Sequence, residues 1–215
     1  MVAFPPSPIS PADFLEGYVA ERFSELDLPE AVLRLDLTLG VRLDGEGGGE
    51  WLYTLRGGAL EVAAGSREEA GFTVIQSVDD WRGALWEGRG GVVAERVFGW
   101  FRPGAASAAW AQTPNPDPGV FERLSALDGV LRAVVIGGPA GDWSTAFKFG
   151  PGEIPEAATT TLSIHHDDAA AIARREIGAL QAFMAGRISV DGDLQFVMQL
   201  QAIAMEAAGA ARGGP

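Results

Sequence analysis

Ala182-Phe183-Met184-Ala185-Gly186-Arg187-Ile188-Ser189-Val190-Asp191-Gly192-Asp193 compresses several elements into a dozen residues. A helix ends at about Ala185, Arg187 to Val190 forms a strand, Asp191-Gly192-Asp193 supplies a turn and an N-cap, and Leu194 to Ala208 follows as a helix. On that last helix Leu194, Val197, Met198 and Met205 lie near one face with Gln201 among them, while Phe196, Leu200 and Ile203 occupy the flank. No charge interrupts it until Glu206, so it must be covered on several sides or line a cavity. Met184, Met198 and Met205 fall in this region, and flexible thioethers suit a pocket that accepts varied apolar shapes as well as they suit an ordinary core.

Working outward, a helix from Asp167 to about Ala185 precedes this stretch, and Leu131–Ile136, Trp143–Phe149 and Thr159–Ile164 read as strands behind a helix at Val120–Leu127. The first half has a similar layout. Asp13 to Leu26 is a helix by its apolar spacing, and Leu33, Leu35, Leu37, Leu39, Val41 and Leu43 alternate as one long strand. Trp51–Leu55, Ala59–Ala63 and Phe72–Gln76 are further strands between Gly-rich turns, Gly57-Gly58 among them, and Asp79-Asp80 opens a helix where the dipole favours negative charge.

Laid over each other, the halves match in order. Phe23…Leu26 recurs as Phe121…Leu124 and Val32-Leu33-Arg34 as Val130-Leu131-Arg132, both 98 residues on. Trp51…Arg56 recurs as Trp143…Lys148, 92 residues on, and Asp79-Asp80 as Asp167-Asp168, 88 residues on. Thr113 to Gly119, TPNPDPG, forbids helix and central strand alike and sets the expected division into domains 12–112 and 119–210. Met1 to Pro11 reads as an extended arm and Ala211 to Pro215 as a loose tail, while Trp100 to Gln112 has no counterpart in the second half.

The motif at 182–193, followed by Met198-Gln199-Leu200-Gln201, resembles the carboxy-terminal signature of the sterol carrier protein type 2 family. Trp143…Lys148-x-Gly150 and Thr161-Leu162-Ser163 leading to Asp167-Asp168 are similar to two further family strands, so the resemblance covers about Val120 to Ala208. Two departures stand out: the hairpin after the Lys strand is compressed to Gly150–Ala158, and Arg175 occupies a place where Gly is usual. The first half keeps the Trp strand and the acidic helix start but lacks the A-F-M-x-G ending, as a degenerate copy would. The resemblance implies an α/β (α+β) fold, pseudo-duplicated here, in which a mostly antiparallel sheet is covered by helices over an apolar tunnel. It also implies non-catalytic binding and intracellular carriage of a sterol, fatty acid, fatty acyl-CoA or related lipid. Phe183, Met184, Ile188, Val197, Met198, Leu200, Gln201 and Met205 are the expected ligand-binding residues.

Composition limits the other classes. With 16 Lys+Arg against 29 Asp+Glu, a net charge of −13 offers no footprint for nucleic acid and repels anionic lipid headgroups, leaving at most transient membrane contact. The absence of Cys excludes disulfides and thiolate sites. The Pro-rich amino terminus lacks a signal-peptide pattern and no apolar run is long enough to span a bilayer, so the expected location is the cytoplasm.

His165-His166-Asp167-Asp168 contains both histidines, but adjacent strand residues point to opposite faces, so neither a metal site nor a catalytic group is expected there, and no cofactor. Lys148, the sole lysine, reads as an exposed cation matched by Arg56. Arg174, Arg175 and Arg187 could meet an anionic ligand head or stay solvated. Trp81, Trp86, Trp100 and Trp110 are expected to fill the core of the first half. Two alternatives to a carrier stay open: an enzyme acting on a terpenoid or acyl substrate through His165 or His166, and a dimerisation or accessory module that binds no ligand. The oligomeric state is left undetermined.

Overall fold

The computed structural model describes residues 2–28, 30–65, 67–98, 101 and 118–210. In the first half, helix α1 winds with wide turns over Asp13–Tyr18 and continues regularly over Val19–Ser24, followed by α2 (Glu30–Leu33). Strands β1 (Asp36–Asp44), β2 (Gly49–Arg56), β3 (Ala59–Ala64) and β4 (Phe72–Ser77) come next. Helix α3 covers Val78–Arg82 and Gly83–Glu87, and α4 covers Gly91–Phe98. The second half holds α5 (Pro118–Ser125), β5 (Gly129–Ile136), β6 (Trp143–Phe149), β7 (Thr160–His165), α6 (His166–Ala173), α7 (Ala179–Met184), β8 (Ile188–Gly192) and α8 (Leu194–Ala210).

All eight strands form one sheet, in the order β3-β2-β1-β4-β6-β5-β7-β8. Five of the seven pairings are antiparallel, while β1 with β4 and β5 with β7 are parallel, so the sheet is mixed with antiparallel pairings in the majority. The trio β2-β1-β4 has the same pairing pattern as β6-β5-β7. The first half adds β3 outside β2, the second adds β8 outside β7, and the two sets join where β4 runs antiparallel to β6. Gly57 and Gly58, both at positive φ, make the two-residue turn between β2 and β3, a geometry closed to bulky side chains.

Pleating sends alternate side chains to one face, and the helices pack there. Phe14, Trp81 and Trp143 are almost fully buried in a core with Tyr18, Trp51, Tyr53, Leu85 and Phe98, where each large side chain contributes about 1.5–3 kcal/mol by leaving water. Trp86 packs edge-on to Phe14 and Trp81 and donates to the Pro5 oxygen, and Phe4 of the extended arm joins the same aromatic group. Trp81 and Trp86 therefore fill the core as expected. Trp100, Trp110, the rest of 102–112, residues 113–117 of the Pro-rich stretch and the tail 211–215 lie outside the described residues.

Three expectations are corrected. The alternating run does not begin a strand at Leu33: Leu33 ends α2 and β1 starts at Asp36, so Val32 is helical where Val130 lies on β5. Register supplies a different equivalence, because Val41 faces Trp51 as Val135 faces Trp143, an offset of 94 residues between β1 and β5. The helix from Asp167 to Ala185 is two helices. Arg175 adopts φ 61°, with its N–H bonded to Ile172 O and that of Glu176 to Ala171 O, a closure that ends α6.

Lys148 is the third correction. It is buried at 2% exposure, not free in solvent: Nζ donates to the carbonyl oxygens of Phe149 (2.8 Å), Gly150 (3.3 Å) and Pro151 (3.3 Å) and meets Asp128 at 3.1 Å. The turn after β6 curls its carbonyls around the ammonium, whereas Arg56 stays exposed and pairs with Asp36.

Candidate functional site

The sequence motif at 182–193 has a direct structural cause. Ala182 is fully buried where α7 meets its surroundings, and Gly186, at φ 71°, closes α7 by giving Arg187 N–H to Ala182 O and its own N–H to Phe183 O. Asp193 then caps α8, accepting from Gln195 and Phe196 N–H at 2.8 and 3.3 Å. Thr160 Oγ1 donates to Asp193 O, tying this cap to β7.

Across β6, β5, β7 and β8 the register lines up apolar side chains on the helix-bearing face. One row is Trp143, Val135, Ile164 and Ile188; the next is Thr145, Ala133, Leu162 and Val190; a third begins with Phe147 and Leu131. Val135 and Trp143 are buried, but Ala133, Leu131, Phe147, Leu162, Ile188 and Val190 are each only half-buried. Toward one end of this strip, α6 packs on β5 and β7, and Ile164 joins Ala169, Ile172 and Ala173 of α6 with Val92, Val93 and Arg96 of α4 around a pocket of about 100 Å³. At the other end Phe196 of α8 packs edge-on to Phe149, and α8 contacts α5.

A second concavity of about 330 Å³ opens between β1, β4 and α5, with Leu37, Leu39, Phe72, Phe121 and Leu124 as its apolar lining and Arg34, Asp36 and Glu122 also around it. That volume is at the lower end of the range of small-molecule sites.

The eight residues expected from the sequence sit on α7, β8 and α8, and neither concavity includes them. Ile188 belongs to the strip, and Val197 and Leu200 are half-buried. Phe183, Met184, Met198, Gln201 and Met205 are exposed, Met184 by 78%, and Leu180 and Leu194 add to this apolar surface. The inward residues of α8 are instead Phe196 and Ile203. The strip residues Leu131, Ala133, Phe147, Leu162 and Val190 were missed, although each lies in a segment whose strand character was readable.

Charged groups near α7 are engaged with one another. Arg187 pairs with Asp168 at 2.8 Å, and Arg174 with Glu176 at 2.6 Å; that hydrogen-bonded guanidinium holds the Glu176 carboxyl below the usual range. His165 accepts the Asp167 N–H through Nδ1 as the cap of α6, and its ring lies over Gly137, while the His166 ring lies by Gly91 and Gly138. Among the described residues no group of three or more His, Asp or Glu could hold a metal ion, and no helix is long and apolar enough to cross a membrane.

The second half is similar to the sterol carrier type. Residues 110–205, just under half of the chain, match the SCP-2 sterol transfer family, in agreement with the motif at 182–193. Similar solved structures include sterol carrier protein domain 2 of Helicoverpa armigera, at 21% identity over 48% of this chain and 81% of that one, with a TM-score of 0.31. Another is palmitated sterol carrier protein 2 like 2 from Aedes aegypti, at 17% identity over 39% and 90%, TM-score 0.29. A stereoselective inverting sec-alkylsulfatase from Pseudomonas is similar at 11% identity over 81% of this chain and 14% of that one, TM-score 0.19. No curated protein matches the chain.

Proposed function

We propose that the protein binds an apolar ligand of the sterol, fatty acid, fatty acyl-CoA or related lipid class and carries it within the cell without altering it. The observation that carries this reading is the half-buried strip from Phe147 to Val190 beside an α7 and α8 surface that exposes Leu180, Phe183, Met184, Leu194, Met198 and Met205. So much apolar surface is costly in water and marks a place where something apolar binds. The family match over 110–205 supports the same reading. In this proposal the ligand lies on the strip, and Phe183, Met184, Ile188, Val197, Met198, Leu200, Gln201 and Met205 close around it, the methionines adapting to its shape. The first half is read as a remodelled copy, on the shared pairing pattern of β2-β1-β4 and β6-β5-β7, within the division 12–112 and 119–210.

The test is native mass spectrometry with organic extraction on protein purified from its own host. A co-purifying apolar molecule at one per chain is expected. An empty protein that also takes up no fluorescent fatty acid or sterol would overturn the proposal.

A further inference from the structure

The middle row of the sheet's helix-bearing face is interrupted by polar side chains at the junction of the halves. Phe72 faces Phe149, Val74 faces Phe147 and Ile75 faces Ala146; one further step along this register sets Gln76 against Thr145. Both are buried, at 4% and 2% exposure. Gln76 Nε2 donates to Ser144 O at 3.1 Å, which fixes the amide, since the flipped form would set two oxygens against each other. Gln76 Oε1 and Thr145 Oγ1 are then left with no hydrogen-bond partner among the described residues. Unpaired buried polar atoms are uncommon in folded proteins because each forfeits its hydration without return.

The chemistry these two atoms ask for is narrow. An amide oxygen only accepts, and a threonine hydroxyl both donates and accepts, so one group that donates to the first and accepts from the second satisfies both. A hydroxyl does this; a carboxylate would be repelled by the amide oxygen. Thr145 also stands at the inner end of the row Ala133, Leu162, Val190, the half-buried strip. A ligand lying along that row from the β8 edge brings its leading end to Thr145 and Gln76.

We propose that Gln76 and Thr145 recognise the terminal hydroxyl of a neutral apolar ligand, one side chain coming from each half. This rests on the carrier reading above. It assigns the two residues to specificity, selecting an alcohol over an ionised fatty acid or a molecule without a donor.

The test uses the full chain and two probes of equal chain length, a long-chain primary alcohol and its methyl ether, each displacing a bound fluorescent lipid. The alcohol is expected to bind about tenfold more tightly, one hydrogen-bonded group's worth. Gln76→Met removes the acceptor that only the alcohol can use and should bring the two affinities together with that of the ether unchanged, whereas Thr145→Val removes a donor to either oxygen and should weaken both probes severalfold, and Thr145→Ser should restore their binding. Thermal melting identifies any variant that does not fold, in which case the wild-type comparison and the remaining variants decide. Equal affinities in the wild type, as expected if the pair merely holds a trapped water, a preference that survives Gln76→Met, or unchanged binding of both probes to Thr145→Val, would overturn this assignment and leave the carrier reading standing. Failure of both probes and of the fluorescent lipid to bind the wild type would overturn the carrier reading and this assignment with it.

Discussion

Trp143 of β6 donates its indole N–H to the main-chain oxygen of Asp80 at 3.1 Å, joining the second strand of the β5–β6 hairpin to the acidic helix start of the first half. The Asp80 carboxylate continues the link, accepting from Ser144 N–H at 3.3 Å and from the hydroxyl of Ser77, the N-cap of α3. Phe72 and Phe147 stack across the same boundary with ring centroids 5.6 Å apart. With the β4–β6 ladder, these contacts couple the halves.

Unfolding of the whole chain is therefore expected to be a single cooperative transition, the same by tryptophan fluorescence and by far-ultraviolet circular dichroism. Two separated transitions would show that the junction is weaker than either half. Ser77→Ala, which removes the cap of α3, should lower stability by about 1 kcal/mol without splitting the transition.

Arg175 holds a left-handed conformation that glycine adopts freely. Arg175→Gly is expected to stabilise the protein by about 1 kcal/mol, relief of the side-chain clash outweighing the entropy of glycine. Denaturant midpoints compare the two proteins, and a lower midpoint for the variant would contradict the strain.

Lys148 and Arg56 are equivalent in sequence and opposite in surroundings. Lys148→Met strands three main-chain oxygens and is expected to cost about 2–3 kcal/mol. Arg56→Ala loses only an exposed ion pair and should change stability by no more than about 0.5 kcal/mol. Equal losses would refute the distinction.

Tyr53 is buried and donates to Leu15 O at 2.8 Å; burial first, and the nearby Glu16 charge second, raise its pKa well above the ordinary value of about 10. The unfolded chain ionises this phenol at about pH 10 while the folded chain keeps it neutral, so its contribution is complete below that pH and is lost as pH rises beyond it. Tyr53→Phe should cost about 1 kcal/mol at neutral pH through the lost hydrogen bond and flatten the alkaline fall in stability. Melting curves from pH 8 to about pH 11 compare the two proteins.

Ligand uptake offers the most direct test of the strip and its cover. Ala133→Leu places two extra carbons and a methyl branch on the half-buried row and should weaken uptake of a fluorescent fatty acid at least tenfold with the fold intact. Met198→Trp should block uptake from the α8 side. Unchanged uptake in either variant would remove that residue from the site.

Some of this was legible in the sequence because it is local. Gly186 and Asp193 announce a helix end and a helix cap by residue type, and Trp51 and Trp143 mark equivalent strands through their offset of 92 residues. The burial of Lys148 was hidden, because the oxygens that hold it belong to the main chain and carry no residue signature. The strip was hidden for another reason: Leu131, Leu162 and Val190 share a face only through the register of three strands, one pairing of which is parallel and spans a long connection. Leu33 misled because the alternating run reaches back to the last residue of α2, where the helix buries Val32 and leaves Leu33 exposed.

The joining of β4 to β6 also bears on self-association. Two separate four-stranded sheets would present four unpaired margins, each a template for another chain; the continuous eight-stranded sheet presents two. Of these, β8 is five residues long and carries Asp191, and β3 carries Glu61, so the surviving margins are short or charged. Producing the halves as separate chains would thus leave Phe72, Phe147 and Phe149 on unpaired strands, and the expected fate of each half alone is aggregation before it is loss of binding.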